Sequence, residues 1–474
     1  MIDPQTDSKE LCYGVGGKTS LLKQPAGANR EPFAWHEFEG LQMKGCVDDE
    51  SVSKLAGGLS KGSLVDEDFR FLATVLAGMQ GPFALYFENE NIAFAATDRI
   101  RSFPLAYHTQ GGFDFRCSFE FQDVGDIDSD SISELLGFGY VTGSASASRR
   151  WQQLLAGQYV VFHKHLRKLE VRDYYLYPFS LRNEEEGKLP LGLVEVERAL
   201  SELDSVHLQI IDRLIGDLSG RQVVVALSGG YDSRLIVELL SRRNYENVVC
   251  FTYGNRDDAQ SKKAAKIAKH CGFRWLFIPY DESTWKRMFA SEEFRRYQEW
   301  CTQLVSIPHI ADWPAVKFLT KNALIDPDAI IVSGMSGDFL EGRHMPKVAL
   351  SDSVWSVERV ADSIIAGHFV HYPSTRLNVA QIRNKVTKEV SSLYETAQEW
   401  GVDHENMALA LSYAWEWRNR QAKYTCNSVR VYEWHGHEWR LPLWDNVLMD
   451  FWAVVPVDWQ KDRWLYREYV KRFS

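Results

Sequence analysis

Residues 223–240 read VVVALSGGYDSRLIVELL. The β-branched run reads as a buried strand that stops at Leu227. From Asp232 onward Leu235, Ile236, Leu239 and Leu240 share one helical face. The junction is Ser228-Gly229-Gly230-Tyr231-Asp232-Ser233. Two glycines let the backbone bend and approach a ligand closely. A helix N-terminus carries about half a positive charge and presents free N–H groups, which suits phosphate. Ser228 and Ser233 add hydroxyl donors. Asp232 is the unexpected member, because a carboxylate repels phosphate. It fits if Mg2+ lies between them. The competing reading is a glycine-rich turn with Asp232 as a helix cap. The order of residues differs from the G-x-x-x-x-G-K-[ST] loop of ordinary NTPases.

Strand and helix alternate outward from this junction. Strands are predicted at 222–227, 247–253, 274–280 and 329–334, and helices at 193–218, 232–243 and 257–272. Continuous apolar strands alternating with helices specify a parallel α/β sheet. Before about residue 180 the pattern changes. Residues 81–98, 103–120 and 157–177 read as strand pairs around polar or glycine turns, and 69–79 and 132–141 have helical spacing. RNEEEGKLP (182–190) reads as a linker, and the chain beyond about 350 is mostly helical and aromatic. The expected class is α/β with α+β: a β-rich domain over 1–182 and a parallel-sheet domain over 190–474.

Composition narrows the function. The net charge is −10 and no basic stripe is present, which argues against nucleic acid as a partner. The seven cysteines form no C-x-x-C pair, so free thiols in a reducing compartment are expected rather than disulfides or zinc. MIDPQTDSKE is polar and acidic, unlike a signal peptide, and no apolar run reaches the length of a membrane span. A cytoplasmic location is expected.

The Ser-Gly-Gly-x-Asp-Ser junction resembles the loop of ATP pyrophosphatases. Joined to a β-rich N-terminal domain, it resembles the glutamine-dependent asparagine synthetase family, over most of the chain. The resemblance implies an Ntn, class II amidotransferase-like first domain and a PP-loop synthetase second domain. It implies that Leu227, Tyr253 in CFTYG and Gly334 in VSGMSGD hold the adenine of ATP. Phosphates fall to Ser228, Gly229, Gly230, Tyr231, Asp232 and Ser233, and Mg2+ to Asp232 and Asp338. HEWRLPLWD (437–445) resembles the family's E-x-R-x-P-x-x-D segment. Glu438 and Arg440 are read as close to the acceptor site, with buried structural pairing as the alternative. His435 and His437 form an H-x-H pair that lacks a nameable third ligand, which favours a structural role.

Three departures matter. A working class II glutaminase starts with cysteine directly after the initiator methionine, and here residue 2 is Ile2; Cys12 would serve only after removal of eleven residues. The segment that holds glutamine has no counterpart either, although DRIRSFPLAYH (98–108) and FRCSFEFQDVG (115–125) keep the scaffold's form. A glutaminase-like domain without glutaminase activity is expected, as in the β-lactam-forming relatives. Met335 stands where asparagine synthetases carry glutamate and those relatives carry tyrosine, so the usual proton-handling group is missing. KDRWLYREY (461–469) replaces the family's lysine-bearing helix. Arg463 is the aligned cation and Lys461 its neighbour; a guanidinium can pair with phosphate bidentately.

The expected function is an amide ligase that uses ATP and Mg2+, adenylates a small-molecule carboxylate, releases pyrophosphate and passes the acyl group to ammonia or an amine. Asp232, Asp338, Lys461, Arg463 and Glu438 are its candidate catalytic residues. A separate ammonia-supplying or pathway protein and a homodimer are left open as partners. LSGGYDSR, GDFLEG and EWRLPLWD look most like asparagine-synthase-like proteins of surface-polysaccharide pathways. Left open beside this are an ammonia-using asparagine synthase and a non-catalytic nucleotide-binding partner. A tRNA-modifying PP-loop enzyme predicts a basic surface and paired cysteines, and neither is seen.

Overall fold

The computed structural model describes residues 32–60, 64–110, 114–118, 125–179, 193–346, 355–369, 377–402 and 406–473. The expectations for Ile2, Cys12 and the 182–190 linker lie outside these.

The N-terminal part is antiparallel. Strands β1 (Trp35–Phe38), β2 (Leu41–Gly45), β3 (Phe83–Glu88), β4 (Ile92–Thr97), β8 (Gln158–His163) and β9 (Lys168–Asp173) form one sheet in the order β1-β2-β3-β4-β8-β9. A smaller sheet has the order β6-β5-β7, from β5 (Ala106–Gln110), β6 (Asp114–Ser118) and β7 (Gln152–Gln153). All three predicted strand pairs are present. The helix expected over 132–141 runs instead from Ser129 to Gly137. Gly139, at φ +90°, turns the chain out of the helix.

From residue 223 the sheet is parallel. β10 (Val223–Ala226), β11 (Val248–Gly254), β12 (Arg274–Pro279), β13 (Ile330–Val332) and β14 (Glu438–Arg440) take the order β12-β11-β10-β13-β14. β10 is flanked on both sides, and its Val223, Val224 and Val225 are each 0% exposed, which explains an uninterrupted apolar strand. The helix Leu193–Leu218 packs on Trp464–Phe473, with His207 stacked on Tyr469 at 4.9 Å. No helix of the described residues is long and apolar enough to cross a membrane.

One of the segments that join the C-terminal part to the N-terminal part is unusual, a π-helix over Trp417–Thr425. Trp417 Nε1 donates to Arg99 O at 2.8 Å, and Arg418 Nη2 to Asp173 Oδ1 at 2.7 Å. Asn419 Oδ1 accepts from Gly143 N–H at 2.8 Å. Lys423 Nζ, fully buried, donates to Val141 O at 2.8 Å and Gly143 O at 2.6 Å. The wider turn of a π-helix sends successive side chains in directions an α-helix does not offer, and such turns recur at functional sites.

Candidate active site

The loop after β10 is a tight glycine turn tied to its neighbouring strand and helix. Leu227 is buried; its N–H goes to Phe251 O at 2.8 Å and its carbonyl accepts from Thr252 Oγ1 at 2.7 Å, which anchors the loop to β11. A Cβ on Gly229 would lie 2.2 Å from Gln260 Oε1 and 3.1 Å from Gln260 Cα, so the backbone crosses the neighbouring helix at a distance only glycine allows. Ser228 Oγ accepts from Gly230 N–H at 3.2 Å, and Ser233 Oγ accepts from Ser228 N–H at 3.0 Å. Gly230 is the N-cap of the helix Tyr231–Arg242 and no side chain caps it. Asp232 is therefore not a cap, and the positive end of the helix is left for a ligand.

Asp232 instead faces a charge cluster assembled from distant parts of the chain. Arg463 Nη2 donates to Asp232 Oδ1 at 2.6 Å and also to Glu341 Oε2. Asp338 lies on the short helix Gly337–Leu340, and its Oδ2 is 3.4 Å from His344 Nε2. The other ring nitrogen of His344 meets Glu416. Gly334 brings the end of β13 against the loop: a Cβ there would lie 2.9 Å from Ser233 N and 3.0 Å from Asp232 C. Asp462 and Arg463 have φ of +52° and +59°, a left-handed pair that turns Arg463 inward.

Three carboxylates around one guanidinium set the electrostatics. Burial pushes Asp232 above the usual carboxylate range, even though Arg463 pulls it down. Burial, reinforced by Asp232, raises Glu341 well above its ordinary value. Burial also acts on Asp338, but the hydrogen bond and charge of His344, with Arg463 and Arg343, hold it below the usual range. Burial opposes charge on His344; the partners Asp338 and Glu416 outweigh it and lift the imidazole to about 9. Burial likewise opposes the charge of Arg463, and Glu341 and Asp232 raise it above its ordinary value. The excess of carboxylate suits a divalent cation, with Asp232 and Asp338 as hard oxygen donors. Among the described residues no three His, Cys, Asp or Glu side chains form a complete metal cage. Mg2+ held by one or two carboxylates plus substrate phosphate oxygens needs no such cage.

At the end of β11, Tyr253 stacks on Tyr280 with centroids 4.8 Å apart. Its hydroxyl donates to Asp312 Oδ1 at 2.5 Å, and Tyr432 donates to Asp312 Oδ2 at 2.6 Å. This buried carboxylate fixes the Tyr253 ring beside the loop.

Two of the residues expected to be catalytic lie apart from this cluster. Glu438 starts β14 level with Ile330 and hence with Val223, at the amino end of the sheet. Four strand residues separate that level from Leu227, roughly 13 Å at the usual rise. Glu438 pairs with Arg221 at 2.7 Å and Arg440 at 3.3 Å, which is the structural pairing held open for it. Lys461 is exposed and lines a surface hollow with Asp458 and Trp464. The left-handed turn at 462–463 sends it away from the side on which Arg463 meets Asp232. His437 bonds Thr320 Oγ1 at 2.9 Å and lies 3.2 Å from Ala329 O, while His435 packs on Trp313, so the H-x-H pair is structural. Met335 is partly buried against the core and brings no proton-handling group.

Glu341, His344, Glu416 and Asp312 were not singled out from sequence. Glu341 alone carried a local signal, three residues after Asp338 and so on the same helical face.

Residues 217–473, more than half of the chain, match the family model described as asparagine synthase. A search of curated proteins gave no match. Among solved structures, the NH3-dependent NAD synthetase of Campylobacter jejuni aligns at 16% identity over 44% of this chain and 92% of its own, with a TM-score of 0.23. The glutamine phosphoribosylpyrophosphate amidotransferase of B. subtilis aligns at 9% identity over 81% of this chain and 78% of its own, with a TM-score of 0.18. A U34-tRNA thiolase of Methanococcus maripaludis aligns at 13% identity over 43% and 72%, with a TM-score of 0.19.

Proposed function

The chain belongs to the asparagine synthase family, and from that membership together with the cluster around Arg463 we propose an ATP-dependent ligase that forms AMP and pyrophosphate. At the family level it is an ATP-dependent amide ligase. In the finer reading, a substrate carboxylate oxygen attacks the α-phosphorus of ATP and the bond to the β-phosphate oxygen breaks, releasing pyrophosphate. Ammonia or an amine then attacks the acyl carbon, AMP leaves, and the nitrogen gives up a proton to water.

The first turn of the helix Tyr231–Arg242, with Ser228 and Ser233, holds phosphate oxygens. Leu227, Tyr253 and Gly334 border the base. Asp232 and Asp338 would hold Mg2+, which when bound supplies positive charge to the departing pyrophosphate. Arg463 supplies a fixed cation for the adenylate phosphate, so the residues mainly position charge. The observation that carries this reading is the convergence of Asp232, Asp338 and Arg463 at the uncapped helix end. Because Met335 cannot take a proton, we propose that the nucleophile arrives already as free base. Nitrogen comes from free ammonia, a separate ammonia-supplying protein or an amine substrate, and the pathway proposed is surface-polysaccharide synthesis, on likeness of sequence.

The test is ATP–pyrophosphate exchange with Mg2+ and pooled carboxylates, with Asp232→Ala as control. Exchange with one pool, lost in the variant, supports adenylation and names the substrate class; exchange with aspartate alone makes it an ammonia-using asparagine synthase. Tight ATP binding without exchange in any pool replaces the reading with a nucleotide-binding partner protein.

A further inference from the structure

A cavity of about 510 Å³ opens beside Asp338, within the size range of small-molecule sites. Arg343 and His344, which both approach the Asp338 carboxylate, form one wall. Glu416 and Arg420 form another, and Gly367 and His368 of the helix Val357–His368 a third. Phe138 and Tyr140 close the back, and these belong to the N-terminal part.

The polar groups of this cavity are unevenly committed. Glu416 Oε1 already takes His344 and, at 3.1 Å, Gln421 Nε2. Arg420 reaches the same oxygen with one nitrogen at 3.3 Å, and its remaining N–H groups have no protein partner among the described residues. Its side chain is 30% exposed. Arg343 touches Asp338 only through Nε, at 3.8 Å, with its side chain 65% exposed at the mouth. Tyr413, 6% exposed, contributes to the cavity wall. Two open guanidinium forks match phosphate or carboxylate geometry.

We propose that this cavity is the pocket for the carboxylate that is adenylated and that it selects a sugar-sized carboxylate bearing a second anionic group, bound by Arg420 with Arg343 at the mouth. This rests on the adenylating reading above. The reacting carboxylate points toward Asp338 and the loop, and the second anion lies toward Arg420. The wall of Phe138 and Tyr140 makes the N-terminal part a component of carboxylate recognition, a role that needs no glutaminase.

The test is calorimetric binding to the full chain with Mg2+ and a non-hydrolysable ATP analogue. Three probes share the gluco carbon chain: glucuronic acid with one anion, open-chain glucaric acid with two carboxylates, and glucuronic acid 1-phosphate. At least one doubly anionic probe is expected to bind ten-fold or more tighter than glucuronic acid, and which one identifies carboxylate or phosphate as the second group. Arg420→Gln and Arg343→Gln should each remove most of that advantage. Gly367→Phe, at a position with open space around a Cβ, should block the probes while leaving affinity for the ATP analogue unchanged. Equal binding of the three probes, binding by none, or wild-type probe affinity in Arg420→Gln or Gly367→Phe overturns the proposal. A probe that binds in this pattern yet supports no pyrophosphate exchange sinks the adenylation reading and leaves the pocket assignment standing.

Discussion

Arg463 Nη2 donates to Asp232 Oδ1 at 2.6 Å across 231 residues of sequence, and the same nitrogen reaches Glu341. One guanidinium therefore pairs with both Asp232 and Glu341, and in the proposed reading it stands where adenylate charge would develop. Arg463→Gln should lower exchange by roughly 10²–10³-fold, the range for loss of one preorganised charge donor. It should also cost about 3 kcal/mol of stability by leaving buried carboxylates unpaired. Arg463→Lys should recover part of both. Exchange kinetics and urea unfolding of the two variants decide it; a Gln variant with wild-type exchange removes Arg463 from the chemistry.

Asp338→Asn keeps the shape of the side chain and removes its charge. Half-maximal exchange should then need at least about ten-fold more Mg2+, the scale on which losing one charged ligand weakens a site. Titrating Mg2+ at saturating ATP is the measurement. An unchanged requirement would assign Asp338 to holding His344 alone.

Gly334→Ala tests the close approach of β13 to the loop. The added methyl meets backbone atoms at 2.9 and 3.0 Å, which cannot rotate away. A loss of about 1–3 kcal/mol is expected from overpacking, with a weaker ATP affinity as the loop shifts. Thermal unfolding and ATP binding measure the two effects separately.

His207 predicts acid sensitivity. Burial pushes its imidazole down to about 4, so the folded state keeps it neutral while the unfolded chain protonates near 6.5. The unfolded state then binds more protons, and stability present above pH 6.5 is lost as pH falls toward 4. The shift corresponds to roughly 3 kcal/mol. His207→Leu should flatten this part of the profile, read from urea midpoints between pH 7 and 4. Equal slopes in the two proteins would refute it.

Lys423 ties the π-helix to the 141–143 segment of the N-terminal part. Lys423→Met removes the donor from Val141 O and Gly143 O, and about 2–4 kcal/mol of stability should go with the unsatisfied carbonyls. Two separated unfolding transitions in the variant, against one in the wild type, would show that this amine holds the halves together.

The sequence was readable where the physics is local. A valine run flanked by glycines and an apolar helical stripe identified β10, its loop and the following helix, because strand burial, backbone freedom and helix polarity are set within a dozen residues. The same reading recovered β10 to β13 and the three N-terminal strand pairs, but not β14, whose three residues carry no strand pattern. It failed where position depends on register. Glu438 belongs to a segment that looks chemical, but pairing with Ile330 puts it at the wrong end of the sheet. Lys461 and Arg463 are two residues apart, and only the left-handed backbone between them decides which one points inward. Glu416 and Asp312 had no local mark, since each gains its role from partners more than fifty residues away in sequence.

The π-helix over Trp417–Thr425 has a consequence for what this chain can lose or gain. Removing one residue would let the segment relax into an α-helix and rotate everything on one side of it by about 100°. A deletion at 417 or 418 parts Arg420 from Glu416, and one at 421 or 422 parts Lys423 from Asn419. A deletion within 417–422 thus sacrifices either the proposed substrate pocket or the seam with the N-terminal part, whereas the same deletion in the turn at Asn89–Asn91 severs neither. The length of this stretch is as constrained as its chemistry, and scanning single-residue deletions would find it the least forgiving part of the C-terminal half.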